Sequence, residues 1–304
     1  MFFSYFCFNI LNNLKKLIKS LFILLSRLPF SILYGFSSVL YVITYHFIWY
    51  RKKIVKNNLL IAFPDKTPKE RKQIEKDFYK NFSDFIVELI KTFSMKGEDY
   101  DKRIQFTNLE ISKQCLNEKK DVILLIGHMF NWEWLTGISN DLYQKNTYAV
   151  YKKVASNFFD QEVHKSRSRF GAIPLTVKEV GRTMLKLPND GSHIFLFVAD
   201  QSPFLGRIHY ELNFFNRLTP AFNGYDKIAR KKDYAIIYVD MVKIKRGKYE
   251  ARLKRITPDK EYFKENEIVE KFYKELTQNI KTHPAIWLWS HKRWKYTSGK
   301  DYQL

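Results

Sequence analysis

A histidine and a glutamate lie close together in the stretch from Gly127 to Glu133, which reads Gly-His-Met-Phe-Asn-Trp-Glu. His128 follows a run of apolar residues directly, and Asn131 is a residue type that favours the N-cap of a helix. We therefore expect a strand, a turn and a helix, with Glu133 in the first helical turn, where the helix dipole favours an ionised carboxylate. Glu133 would accept a hydrogen bond from one imidazole nitrogen and leave the other nitrogen of His128 as a general base.

The same two residues also have a purely structural interpretation. His128 would then only end a strand, and Glu133 would only complement the helix dipole. A histidine and a glutamate at this spacing often occur together by chance, so the residues alone leave both interpretations open.

The elements that must position this pair follow an α/β pattern. Beyond residue 100, helical stretches alternate with short apolar strand candidates at 122–126, 148–151, 193–198, 235–241 and 249–255. The run between Asp121 and Gly127 is apolar at every position, which is typical of a central strand covered on both faces. We expect residues 100–304 to form one domain, a mixed sheet flanked by helices.

Residues 56–99 are expected to form an amphipathic helical segment. Thr67, Pro68 and Glu70 have the spacing of a capping box with proline at the first helical position. Apolar residues then recur at helical spacing from Ile74 to Phe93. The mixed charge of the polar face favours a helix packed on the core over one lying on a membrane.

Residues 1–55 are expected to anchor the chain in a membrane. No charged residue occurs from Leu28 to Tyr50, and a helix of that length would span roughly 34 Å, about the thickness of the hydrocarbon layer. Basic residues flank the stretch on both sides, so their distribution gives no orientation. A spanning helix and a helix in the interface both remain open.

The composition restricts the partners and the kind of site. Lysine and arginine number 52 against 31 acidic residues, a formal charge of +21, which suits a nucleic acid, an anionic bilayer or an acidic carrier protein. The two cysteines, Cys7 and Cys115, provide neither a disulfide framework nor a zinc site, and we expect no metal.

The stretch from His128 to Glu133 matches the H-x4-D/E motif of the glycerolipid acyltransferase fold, and its Phe-Asn-Trp-Glu resembles the lipid A biosynthesis lauroyl/myristoyl acyltransferase family. Further blocks resemble that family in the same order along the chain. They are residues 51–64, Tyr151-Lys152-Lys153 with Asn157, Arg169-Phe170-Gly171, Asp200-Gln201 and the run from Trp289 to Lys295. One departure is that no proline follows Asn157.

The resemblance implies transfer of a fatty acyl chain from acyl-acyl carrier protein to a hydroxyl of a lipid A precursor, an acylated glucosamine disaccharide. It implies His128 and Glu133 as the catalytic pair, the acyl carrier protein as co-substrate, and no other cofactor. It also implies a lipid acceptor, no nucleic acid, and a place at the bacterial inner membrane with the catalytic domain facing the cytoplasm. Another glycolipid or an aminolipid as acceptor is the nearest alternative.

Six further residues are candidates for substrate binding. Arg169 offers a guanidinium to an oxyanion or to a lipid phosphate. Asn131 belongs to the histidine motif, and Asp200 and Gln201 follow a predicted strand, where they form either an ordering turn or part of the chemistry. Lys292 and Arg293 would contact phosphates at the membrane edge or form a solvated basic face.

The rival class of function is a basic, aromatic-rich protein that binds nucleic acid or anionic lipid. The basic residues are spread along the chain and show no RNA-binding signature, which favours the enzyme.

Overall fold

A seven-stranded sheet lies at the centre of the molecule in the computed structural model, which describes residues 18, 20–142, 146–153, 157–256 and 264–302. Its strands are β1 (Ile104–Thr107), β2 (Val122–Ile126), β3 (Thr147–Tyr151), β4 (Ile173–Thr176), β5 (Ile194–Val198), β8 (Ala235–Lys245) and β9 (Lys248–Arg255). Their spatial order is β1-β9-β8-β2-β5-β3-β4, parallel except for the antiparallel β8 and β9. Strands β6 (Glu211–Asn213) and β7 (Leu218–Pro220) form a separate hairpin.

The strand predictions agree with this sheet. Strand β2 has the predicted bounds, lies between β8 and β5, and is buried at all five positions, so the predicted central strand is confirmed. Four other predicted strands are present with ends shifted by one to four residues. The sequence missed β1, β4, β6 and β7, which are only three or four residues long and lack a continuous apolar run.

Helices surround this sheet. They are α1 (Phe30–Val42), α2 (Lys52–Ala62), α3 (Pro68–Thr92), α4 (Gly97–Asp101), α5 (Leu109–Asn117), α6 (Ile138–Asp141), α7 (Asn157–Ser168), α8 (Val180–Lys186), α9 (Gly224–Lys232) and α10 (Glu267–Thr282). Two 3₁₀ helices, Trp132–Gly137 and Leu205–Arg207, lie in the connections.

The long helix α3 begins as predicted. The Thr67 hydroxyl accepts from the backbone of Glu70, and the Glu70 carboxylate accepts from the backbone of Thr67, which completes the capping box. Phe78 and Phe85 on its apolar face are buried in the core. The helix therefore packs on the core, as the pattern of its charges indicated.

Helix α1 has one packed face and one bare face. It continues as a π-helix through Ile43–Phe47, and residues 30–47 are together long and apolar enough to cross a membrane. On the packed face Ser37 donates a 2.7 Å hydrogen bond to Asp84 of α3. Large apolar side chains protrude from the bare face and the turn beyond it, namely Ile32, Phe36, Val39, Val42, Ile43, Phe47, Ile48 and Trp49.

Candidate active site

The sheet register places His128 beside Asp200. Ile126 at the end of β2 pairs with Val198 at the end of β5, and each functional residue follows two positions later. Because the strands are parallel, these residues emerge side by side at the carboxyl edge of the sheet, where α/β proteins collect their sites. Gly127 allows helix α10 to pack closely against the end of β2, since a Cβ at position 127 would overlap the Leu276 side chain.

The carboxylate of Asp200 holds the imidazole of His128 from one side. Its Oδ1 accepts from Nδ1 of His128, and its Oδ2 accepts from the His128 backbone N–H at 3.0 Å and from Trp287 Nε1 at 2.6 Å. Burial raises the pKa of Asp200, but the imidazole and these donors outweigh burial and lower it to about 2. Asp200 is therefore ionised at neutral pH and favours the tautomer with the proton on Nδ1.

The opposite ring nitrogen of His128 is left as an acceptor. The amide nitrogen of Gln201 lies 2.9 Å from Nε2 and donates to it in this tautomer. The His128 side chain is 15% exposed and lines a cavity. An imidazole that has one nitrogen fixed by a carboxylate and that lines a cavity has the arrangement of a general base. Asp200 and Gln201 thus lie in the site with His128.

Residues 286–288 near the C-terminus fix the backbone of the stretch from His128 to Glu133, the histidine loop. The Phe130 N–H donates to the Ile286 carbonyl at 2.8 Å, and the Leu288 N–H donates to the His128 carbonyl at 3.1 Å. Trp287, between them, reaches Asp200. Trp287 was not among the predicted site residues. The signal available for it in the sequence was a tryptophan within the last apolar segment.

The expected hydrogen bond from His128 to Glu133 is wrong, because the carboxylate of Glu133 pairs with Arg167. Arg167 Nη2 lies 2.7 Å from Oε1 and its Nε lies 3.0 Å from Oε2, while Trp132 Nε1 also donates to Oε1 at 3.0 Å. Burial raises the pKa of Glu133, but Arg167 outweighs burial and lowers it. Glu133 is ionised, and the charged form of His128 would lower its pKa further, although Glu133 does not accept a hydrogen bond from the ring.

The local helix type also differs from the prediction. Trp132–Gly137 is a 3₁₀ helix, not the expected α-helix, and Glu133 is at its second position. Asn131 precedes it but makes no side-chain cap, which corrects the predicted N-cap. Its amide instead donates a 3.1 Å hydrogen bond to the carboxylate of the buried Glu88. This placement does not support the prediction that Asn131 binds substrate.

The basic residues that were predicted to bind substrate lie in different surroundings from those expected. Arg169 donates to the carbonyls of Met95 and Phe93, both at 2.9 Å, just beyond the end of α3, and does not line the cavity. Arg293 is 0% exposed and donates to Pro220 and Tyr273, so both the predicted contact with membrane phosphates and the alternative of a solvated basic face are wrong for it. Lys292 is exposed, as either of its interpretations requires. Arg167, which the sequence analysis did not select, is the arginine that pairs with Glu133 at the cavity.

The cavity beside His128 encloses about 1250 Å³, more than the roughly 300–1,000 Å³ typical of small-molecule sites. Its apolar wall includes Phe22, Ile23, Ile86, Leu89, Ile90, Phe93, Val163 and Val198. Cationic side chains also line it, namely Lys152, Lys153, Arg167, Lys178 and Arg207. Such a space suits a ligand with a long apolar part and an anionic group.

Comparison with protein families agrees with this geometry. The family model described as bacterial lipid A biosynthesis acyltransferase matches residues 14–296, most of the chain. Comparison with curated proteins returns no match.

Proposed function

The chain belongs to the bacterial lipid A biosynthesis acyltransferase family, and from that membership we propose that it transfers a fatty acyl chain from acyl-acyl carrier protein to a hydroxyl of a lipid A precursor. The observation that carries the proposal is the imidazole of His128, which is held by Asp200 through Nδ1 and lines a large, apolar, cation-lined cavity. The acyl chain occupies the apolar part, and the cations bind anionic groups of the substrates.

In the proposed reaction, His128 takes the proton of the acceptor hydroxyl on Nε2 while the oxygen attacks the thioester carbonyl carbon. The C–S bond then breaks, and the imidazolium returns the proton to the departing sulfur as a thiol. Asp200 stabilises the imidazolium through Nδ1. Gln201 occupies Nε2 at rest and yields this position to the acceptor hydroxyl.

Arg167 stabilises the oxyanion of the tetrahedral intermediate. Glu133 holds its Nε and Nη2, which leaves the buried Nη1 without a partner within the described part of the chain. An unpaired donor on a fixed cation is suited to the negative charge that develops in the transition state. Glu133 thereby acts on the reaction through Arg167, and its negative charge also favours the imidazolium of His128.

The lipid acceptor places the enzyme at a membrane, and we propose that α1 provides the attachment. Its bare apolar face and the excess of basic residues favour an anionic bilayer, the inner membrane, with the catalytic domain on the cytoplasmic side. The acyl carrier protein, an acidic partner, would be attracted by the same excess of basic residues.

The test combines a purified enzyme with cellular lipids. Acyl transfer from acyl-acyl carrier protein to a lipid A precursor is followed by mass spectrometry, and the lipids of a deletion strain are compared with those of the parent. The proposal expects a product one acyl chain heavier in vitro and the loss of that chain in vivo. Transfer to a different glycolipid or aminolipid only would refute the acceptor. No transfer to any lipid, together with retention of nucleic acid on a filter, would refute the enzymatic function and support the nucleic-acid-binding alternative.

A further inference from the structure

Glu88 joins four parts of the fold through one buried carboxylate. It lies on α3 and is 0% exposed. Its Oε1 accepts from the Tyr34 hydroxyl of α1 at 3.0 Å, and its Oε2 accepts from the Tyr249 hydroxyl of β9 at 2.9 Å and from Asn131 Nδ2 at 3.1 Å. Three donors from three different elements therefore converge on a side chain that does not line the cavity.

Helix α3 also supports the rest of the histidine loop. Phe85 stacks on Phe130 with ring centroids 4.9 Å apart and contacts Trp132 at 4.4 Å. Thr92, one turn beyond Glu88, accepts from Trp134 Nε1 at 3.2 Å. These contacts hold Phe130, Trp132 and Trp134, whereas the side chain of Asn131 has Glu88 as its polar partner.

The contact with Asn131 matters because Asn131 has little else to hold its side chain. It is fully buried, and its Oδ1 lacks a hydrogen-bond partner within the described part of the chain. Without Glu88 the whole amide would be buried and unpaired, which disfavours its present position. Asn131 lies three residues after His128 and two before Glu133, so its movement would reach both.

We propose that Glu88 is a positioning residue, which sets the loop from His128 to Glu133 and links it to the membrane helix α1. The proposal rests on the assignment of His128 as the base. Glu88 touches no substrate and acts through Asn131. A change in the position of α1 is transmitted to the loop through Tyr34 and Glu88, because Tyr34 and Asn131 donate to the two oxygens of the same carboxylate.

The surroundings of Glu88 contain several titratable groups. Tyr34 approaches from α1, Asp84 from α3, Lys243 from β8 and Tyr249 from β9. Burial raises the pKa of Glu88 to about 7, and Lys243 opposes this rise. A carboxyl whose pKa is higher in the folded state gives stability below its ordinary pKa, and that stability is lost as the pH rises through about 7.

Substitutions at position 88 separate positioning from simple stability. Glu88→Gln keeps one oxygen for Asn131 and Tyr249, while its amide can donate to Tyr34. Glu88→Met keeps the bulk and removes every acceptor. We expect Glu88→Met to lower kcat per folded molecule on the order of tenfold to a hundredfold, because small displacements of catalytic groups have effects of that size. We expect an unchanged KM and most activity restored in Glu88→Gln.

Glu75 provides the matched control. It is also a buried glutamate of α3, 2% exposed, but its carboxyl is coupled to Lys52 and Lys56 of α2. Glu75→Met should change stability and leave kcat per folded molecule close to wild type. Melting temperatures at pH 5 and pH 8 complete the set: relative to Glu88→Gln, the wild type should lose stability at the higher pH.

A readout that does not need turnover distinguishes this proposal from the function. The rate of carbethoxylation of His128, read by peptide mass spectrometry, reports its ring environment. We expect that rate to change at least about threefold in Glu88→Met and to be unchanged in Glu75→Met, since loop movement alters access and hydrogen bonding of Nε2. An unchanged rate and kcat in folded Glu88→Met overturns the positioning role. A wild-type enzyme that transfers no acyl chain overturns the proposed function alone.

Discussion

The carboxylate of Glu133 and the guanidinium of Arg167 face each other through two hydrogen bonds of 2.7 and 3.0 Å at the wall of the cavity. A fork of this kind fixes the plane of the guanidinium and hence the direction of its remaining N–H groups. The glutamate of the histidine motif therefore positions a cation and does not hold the histidine.

Arg167→Ala should lower kcat by about 10²- to 10³-fold, the usual effect of losing an oxyanion donor. It should also cost about 2 kcal/mol of stability, because Glu133 would be left largely buried without a partner. The double variant Glu133→Ala/Arg167→Ala should recover stability and remain inactive. Kinetics and chemical denaturation of the three variants test this, and full activity of the double variant would contradict the role of Arg167.

Asp200→Asn should disable His128 without a large change in shape. Three N–H groups point at the Asp200 carboxylate, and an asparagine offers only one oxygen to them. Its amide would donate to Nδ1 and favour the tautomer with the proton on Nε2. In that tautomer Nε2 cannot accept the proton of the acceptor hydroxyl. We expect kcat to fall by about 10²- to 10⁴-fold, the value of general-base catalysis. Single-turnover rates, with circular dichroism as the folding control, measure it; a rate near wild type would show that the tautomer is set elsewhere.

Arg169→Ala is expected to affect stability and not chemistry. Its guanidinium binds two carbonyls just beyond the end of α3, so its loss should cost about 1–2 kcal/mol. Arg167→Ala, two positions earlier, is the matched control. Turnover per folded molecule should stay near wild type for Arg169→Ala only. A large fall in its turnover at unchanged stability would return Arg169 to the site.

Much of the fold could be predicted from the sequence, because its signals are local. The all-apolar run of β2 and the capping box at Thr67 each specify an element by themselves. The partner of His128 required the spatial order of the strands: Asp200 is adjacent only because β5 pairs with β2. Neighbouring strands distant in sequence leave no periodic signal, so the nearer glutamate was chosen. Arg167 was missed because it lies at the end of α7, 34 residues from Glu133, and no local pattern links the two residues.

The bare face of α1 should carry the membrane attachment. Phe36, Ile43 and Phe47 follow one another at helical spacing and are 51%, 39% and 76% exposed. Their simultaneous replacement by serine should weaken flotation with anionic vesicles by more than about tenfold, since burial of each side chain contributes about 1.5–3 kcal/mol. Leu60→Ser, at a residue 51% exposed on α2, is the control. Undiminished flotation of the triple variant would move the attachment to another surface.

His128→Ala is the variant on which the mechanism depends. The imidazole has its Nδ1 bound to Asp200 and its Nε2 2.9 Å from the Gln201 amide, and it lines the cavity, so alanine removes the proposed base. Turnover normalised to folded protein, with acyl-acyl carrier protein as donor, should fall by at least about 10²- to 10⁴-fold while binding of the carrier persists. His128→Ala/Asp200→Asn should lose little more than His128→Ala, because residues that act as a unit are not additive. If the histidine only ended a strand, its replacement would lower the melting temperature and leave turnover per folded molecule unchanged. Near wild-type acyl transfer by a well-folded His128→Ala enzyme would therefore exclude His128 as the base, and with it the roles assigned to Asp200 and Gln201.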